Sequence, residues 1–296
     1  MATGITTQTP FFEQPYITLQ EFKNAPTSID YNNLVVGGNQ DAQDAELTRL
    51  ILRASSFLDE YLNQNLSAQT RTETQRTRFT PQGFIALHPN NNPLISLQSF
   101  SYGPTPNELI TIPDCSLSWF EDQQIIIPVS QMSLTWSSSG PLSFGGGGSN
   151  YNQIYCQYNY TSGYVNNPIA TAVALASSMT VSNAAGIQAG GQYRIWDGAK
   201  SETITVASNY TYGSTTVPLA SALVYTHTAG VTFGNLPQAI KQATILVTTA
   251  FAKVRGDRSM TMGITTTAQS VTDGAQRYGN EIAMAIEMVT LYRRIR

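Results

Sequence analysis

The sequence writes the start of one helix twice. "QYNYTSGYVNNPIATAV" runs from Gln157 to Val173, and "VTFGNLPQAIKQATILV" runs from Val231 to Val247. Each has a strand-like run, a Gly, an Asn and then a Pro opening an Ala-rich segment. Only the second continues with helical periodicity. Pro237 takes the first helical position. Ile240, Ala243, Val247, Ala250, Phe251 and Val254 then line one face up to Gly256. The text between the two copies therefore reads as a domain inserted at a surface loop. Such an insertion costs little when its two ends lie close together. The expected division is 1–168 plus 235–296 for the host and 169–234 for the insert.

The composition of the insert supports that division. Arg194, Asp197, Lys200 and Glu202 are its only charges. Strands are expected at Met179–Val181, Tyr193–Trp196, Glu202–Ala207 and Thr216–Leu219, with turns at Gly190-Gly191, Asp197-Gly198 and Tyr212-Gly213. Tyr193, Trp196, Tyr210, Tyr212 and Tyr225 read as the core of a small sandwich; their other use is stacking on a sugar or filling a protein pocket.

The host mixes two periods. Thr18 and Glu21 form a capping box for a short helix that ends before Pro26. After Gly37-Gly38, Leu47, Leu50, Ile51, Ala54, Leu58, Tyr61 and Leu62 recur at helical spacing. "RTETQRTRFT", "GFIALHP", "LISLQSFSYG", "NELITI", "LSWF" and "QIIIPV" are β-like and read as one antiparallel sheet of about four to six strands. Ser137–Gln153 is Gly- and Ser-rich and reads as a long loop ordered, if at all, by a partner. "IYCQYNYTSGY" returns as a strand. Near the end, Asn280 caps a helix with Ile282, Ile286, Val289 and Tyr292 facing inward. The fold class is α+β: about four helices, a small antiparallel β region and an inserted all-β domain.

Charge narrows the function classes. Charged residues make up 12% of the chain and net charge is −3, so the whole chain is not an electrostatic nucleic-acid binder. The charge is uneven: residues 237–296 carry eight Lys or Arg against four Asp or Glu, and the remainder eight against fifteen. There is no run of about 18 apolar residues to cross a membrane. The N-terminus lacks the pattern of a secretory signal, which implies folding in a cytoplasm. Cys115 and Cys156 make neither a metal spacing nor a disulfide framework. The N-x-[ST] matches at Asn65, Asn159 and Asn209 are then chance matches.

Catalytic patterns are missing. His88 and His227 are the only histidines, and each reads as structural, having no paired acid in sequence. No G-x-S-x-G, HExxH or P-loop occurs. "FGGGGSN" lacks the Lys-Ser/Thr of a phosphate cradle. Asp197-Gly198 is a turn rather than a calcium loop, and Asp114, Glu121 and Asp122 read as solvated. No cofactor, metal or catalytic residue is expected, and the chain reads as a non-enzyme.

With the insert removed, the order of motifs resembles the head–tail adaptor (connector) proteins of long-tailed bacteriophages. The resemblance lies in Tyr16–Lys23, Glu46–Leu62, the junction of Tyr160–Tyr164 with Leu236–Ala243, and Tyr292–Arg294. It covers roughly the first 165 and last 60 residues; the insert and the Gly-rich loop depart from it. It implies a helical adaptor core in a structural virion protein of the neck, assembled in the host cytoplasm. About twelve copies would form a ring under the portal protein. The ring would extend the channel for genomic DNA, which passes without sequence-specific binding, and dock a head-closure or tail-completion protein. In that reading Tyr292, Arg293, Arg294 and Arg296 dock on the portal, because Arg forks suit carboxylates. Basic residues at a helix C-terminus also simply complement its dipole. Phe144, Gly145, Gly146, Gly147 and Gly148 are the expected partner-contact loop. The alternative is a carbohydrate- or host-binding β module on a helical stalk.

Overall fold

A computed structural model describes residues 14–27, 29–78, 80, 84–103, 105–112, 114–128, 153–254 and 281–294. The expected contact loop at Phe144–Gly148, the Gly256 stop, the Asn280 cap and Arg296 lie outside the described residues. The chain is mixed α+β. It divides into two compact units, one of residues 68–163 and one combining 14–67 with 164–294.

The first unit is two antiparallel sheets. One has the order β1 (Gln69–Arg78), β7 (Gln153–Ser162), β3 (Leu94–Gly103), β4 (Ile110–Ile112). The other has the order β2 (Phe84–Leu87), β6 (Gln124–Pro128), β5 (Trp119–Glu121). The expected single sheet is thus two, joined through their inner faces. Ile85, Leu87, Ile125 and Ile127 from the small sheet share one core with Phe100, Tyr102, Ile154, Cys156, Tyr158 and Tyr160. The pleat places every second residue of β7 inward. β1 has no hydrophobic alternation because it meets tyrosines with polar groups. Glu73 accepts the hydroxyls of Tyr158 at 3.0 Å and Tyr160 at 2.5 Å. Burial pushes the Cys156 thiol up to about 12, which makes it a packing residue rather than a nucleophile.

The second unit holds α1 (Leu19–Asn24), α2 (Gln40–Leu62), α3 (Gln238–Val254) and α4 (281–289). The capping box at α1 forms in full: Thr18 Oγ1 accepts from the Glu21 N–H and Glu21 Oε2 accepts from the Thr18 N–H. Leu58 and Leu62 of α2, Ile240, Ala243 and Val247 of α3, and Ala285 and Val289 of α4 make one core with Tyr16. The inward stripe of α4 is therefore Ala285–Val289, with Tyr292 packed beside it; the expected Ile282 and Ile286 are only half-buried. Ala285, a small residue that a pattern of large apolar side chains passes over, is fully buried in this core.

The same unit contains a six-stranded antiparallel sheet. Its order is β11 (Glu202–Thr205), β10 (Gln192–Trp196), β13 (Thr232–Gly234), β8 (Asn166–Thr171), β9 (Ser178–Val181), β12 (Thr216–Pro218). The two copies of the repeated cue meet here. β8 and β13 pair, with Asn166 opposite Gly234. Val165 and Asn235 close the neck: each backbone N–H donates to the other residue, at 2.9 Å to the Val165 carbonyl and 2.8 Å to Asn235 Oδ1. The first copy is thus a strand, and only the second opens a helix.

Candidate functional site

The most elaborate polar arrangement lies where the six-stranded sheet meets α1 and α3. Lys241 is the only charged residue between Phe233 and Ala252, and it is 3% exposed. Its Nζ donates to Glu21 Oε1 at 2.6 Å and to Thr232 Oγ1. Thr232 in turn donates to Glu21. One carboxylate so joins α1, α3 and β13. Burial pushes the Lys241 ammonium below its ordinary value, against the pull of Glu21.

Beside this cluster is a cavity of about 310 Å³ lined by Gln20, Glu21, Arg194, Trp196, Ser201 and Lys241, among others. The Arg194 guanidinium lies 4.7 Å from the Trp196 ring centre and the Lys241 ammonium 5.4 Å from it. Sequence reading placed Glu21 in a capping box and Trp196 in a core. The one available signal was Lys241 itself, a charge in the buried arc of a helix whose other charge, Lys253, is exposed in the last turn.

The expected docking residues sit at the other end of α2. The Arg294 N–H donates to the Leu62 carbonyl at 2.9 Å, satisfying an orphan group of the last turn. Gln64 Nε2 donates to the Tyr292 carbonyl at 2.7 Å. The Arg293 guanidinium lies over Tyr61, 5.1 Å from its ring centre. Tyr292 and Arg294 are thus engaged within the fold, and Arg293 is exposed. Beside Arg293, Leu291 is 93% exposed, with Met284 and Met288 outward on the preceding turns.

Comparison with protein-family models, with curated proteins and with solved structures finds no match. Among the described residues, no helix is long and apolar enough to cross a membrane.

His227 is not the acid-free residue that its sequence neighbours suggest. Its side chain is buried, with Nδ1 2.9 Å from Asp197 Oδ2 and Nε2 2.8 Å from Glu202 Oε1. A neutral ring donates to only one of these carboxylates. The acids lie 25 and 30 residues upstream, so only tertiary folding pairs them with the ring. Glu202 also accepts the backbone N–H groups of Val224 and Tyr225, at 3.0 and 3.1 Å. Burial pushes its carboxyl up, but these bonds and the one from His227 hold it below the ordinary 4.5. A depressed carboxylate stabilises the fold above its unfolded value, and this is lost as pH falls through the folded value. Glu202→Gln should therefore melt lower than wild type at about pH 6, and the gap should close toward about pH 3. Paired thermal melts at both pH values check this.

The remaining sequence candidates are dispersed. His88 is exposed, and its N–H donates to Gln75 Oε1 at 2.9 Å. Asp114 takes both the N–H and the hydroxyl of Ser116; Glu121 takes the Trp119 indole N–H. All three acids of that group are exposed. Of the aromatics between 193 and 225, Tyr193 and Tyr210 are buried, whereas Tyr212 and Tyr225 are exposed.

Proposed function

We propose that this chain is a structural protein of a phage neck, a head–tail adaptor that works by docking rather than turnover. The observation that carries the reading is α4. One side is anchored in the α2–α3 core, while Met284, Met288 and Leu291 present an apolar stripe to solvent that ends at the cation of Arg293. An apolar strip bordered by Arg is the composition of a protein interface. It lies at the segment for which the adaptor resemblance implies portal contact. In this reading the chain assembles as a ring below the portal, around the DNA channel, and receives the next neck or tail component.

Anchoring of Tyr292 and Arg294 shapes the test. Truncating before Tyr292 would remove a cap of α2, so surface substitutions are better. Purified chain mixed with assembled portal rings should saturate at about one chain per portal subunit, read by mass measurement and electron microscopy. The pair Leu291→Glu and Arg293→Glu should weaken binding about tenfold or more with an unchanged melting temperature. Absence of binding at any salt concentration would end the adaptor reading.

A further inference from the structure

Two segments of the six-stranded sheet meet in an apolar surface without a charge. Residues 172–177 join β8 to β9, and residues 219–231 lead from β12 to β13. They are laced together. The Leu175 N–H donates to the Leu223 carbonyl at 2.8 Å, the Leu223 N–H to the Ala176 carbonyl at 3.0 Å, and the Ala174 N–H to Thr226 Oγ1 at 3.0 Å. On this joint Leu175 is 84% exposed, Val224 64%, Val173 53% and Tyr225 41%. No Asp, Glu, Lys or Arg occurs in 172–177 or 219–226. Single exposed apolar residues are ordinary, but four on one braced joint make a patch. Its backbone is fixed as well, since Glu202 accepts the Val224 and Tyr225 N–H groups. Leu175 has φ +65, a conformation that Gly adopts freely and that costs a residue with a Cβ. A leucine held there, almost wholly in water, gains no burial within its own chain.

We propose that this tip is a self-association surface, covered by the same tip of a second copy about a two-fold axis. Charge selects that occupant. In a two-fold contact each residue near the axis meets its own counterpart. A charged patch therefore repels its copy, and an uncharged one does not. The other exposed apolar groups fail this condition. Leu117, Trp119 and Phe120 stand among exposed Asp114, Glu121 and Asp122, and the α4 stripe has Glu287 and Arg293 beside it. An anionic lipid surface would call for cations that the tip lacks. Area sets the strength. Four partly exposed side chains supply less than the roughly 800 Å² per partner of a stable complex, so the dimer is weak, with a Kd on the order of 100 µM. This inference does not rest on the adaptor reading, and its test involves no portal.

The test is sedimentation velocity on the full chain over a concentration series from about 1 µM to about 1 mM. A monomer–dimer equilibrium is expected, unchanged or tighter at about 1 M salt, because the contact has no ion pair to screen. Leu175→Glu sets like charges at the axis and should weaken association about tenfold or more. Leu175→Gly removes the side chain and suits the backbone. It should also weaken association, with a melting temperature no lower than wild type, which separates a lost contact from a damaged fold. Leu291→Glu, on the α4 stripe, is the control and should dimerise as wild type does. Pelleting with phosphatidylcholine vesicles, with and without phosphatidylserine, tests a lipid occupant instead. A chain that stays monomeric, Leu175 variants that dimerise like wild type, association that salt disperses or that Leu291→Glu abolishes, or a monomer that pellets with vesicles overturns the proposal.

Discussion

Glu21→Ala is expected to cost about 3–5 kcal/mol, because it strands an ammonium that has almost no access to water. The reasoning is asymmetric. Lys241 is 3% exposed, and its other polar contact is the Thr232 hydroxyl. Glu21 also holds the α1 capping box, so its loss removes a helix cap as well. Lys241→Met should cost less, since Glu21 keeps the Thr18 N–H and Thr232 as partners. Removing both charges together, as Glu21→Gln with Lys241→Met, should recover much of the loss. A well-packed neutral pair avoids the desolvation penalty of the ionic one, and Gln retains the capping geometry. Urea unfolding curves for the three variants provide the measurement. A Glu21→Ala midpoint equal to wild type would mean that the buried pair contributes nothing. On heating, the single variant should melt roughly 10 °C lower.

Gly234→Ala should cost about 3 kcal/mol or more through overpacking against backbone. A Cβ there would overlap the Val165 carbonyl oxygen and lie 2.5 Å from the carbonyl carbon, with Asn166 Cα at 3.0 Å. Neither backbone atom can move aside as a flexible side-chain end would. The same carbonyl accepts the Asn235 N–H, so displacing it opens the neck bond as well as the strand pair. Gly213→Ala is the control. Gly213 has φ +84 with open space around its missing Cβ, so its cost is conformational only, about 1 kcal/mol. Hydrogen exchange should show early opening of β8 and β13 amides in Gly234→Ala and unchanged exchange there in Gly213→Ala.

These two sites show where sequence reasoning stops. The helices α1, α2 and α3 were legible because capping and 3.6-residue periodicity are local properties of the text. Thr18 and Glu21 lie three residues apart, and the apolar positions of α2 repeat every three or four. Strands β9, β10, β11 and β12 were legible for the same reason, since short alternating runs between turn residues need no distant partner. β1 was legible as a strand in "RTETQRTRFT", but what its polar inward face meets was not, because Glu73 finds its tyrosine partners about 85 residues further along. The orientation of α4 escaped because its buried face includes a small residue, Ala285, to which a reading by large apolar side chains gives no weight.

The chain's local text determined most of its element types and the segregation of positive charge toward the C-terminal end. Tertiary structure alone decided which charges meet. Glu21 and Lys241 are 220 residues apart, and His227 and Asp197 are 30 apart. No periodicity links such positions. Their encounter depends on β8 pairing with β13 and on α3 packing beside α1. Those are long-range pairings, set by the shape of the whole core and not by any one stretch of sequence.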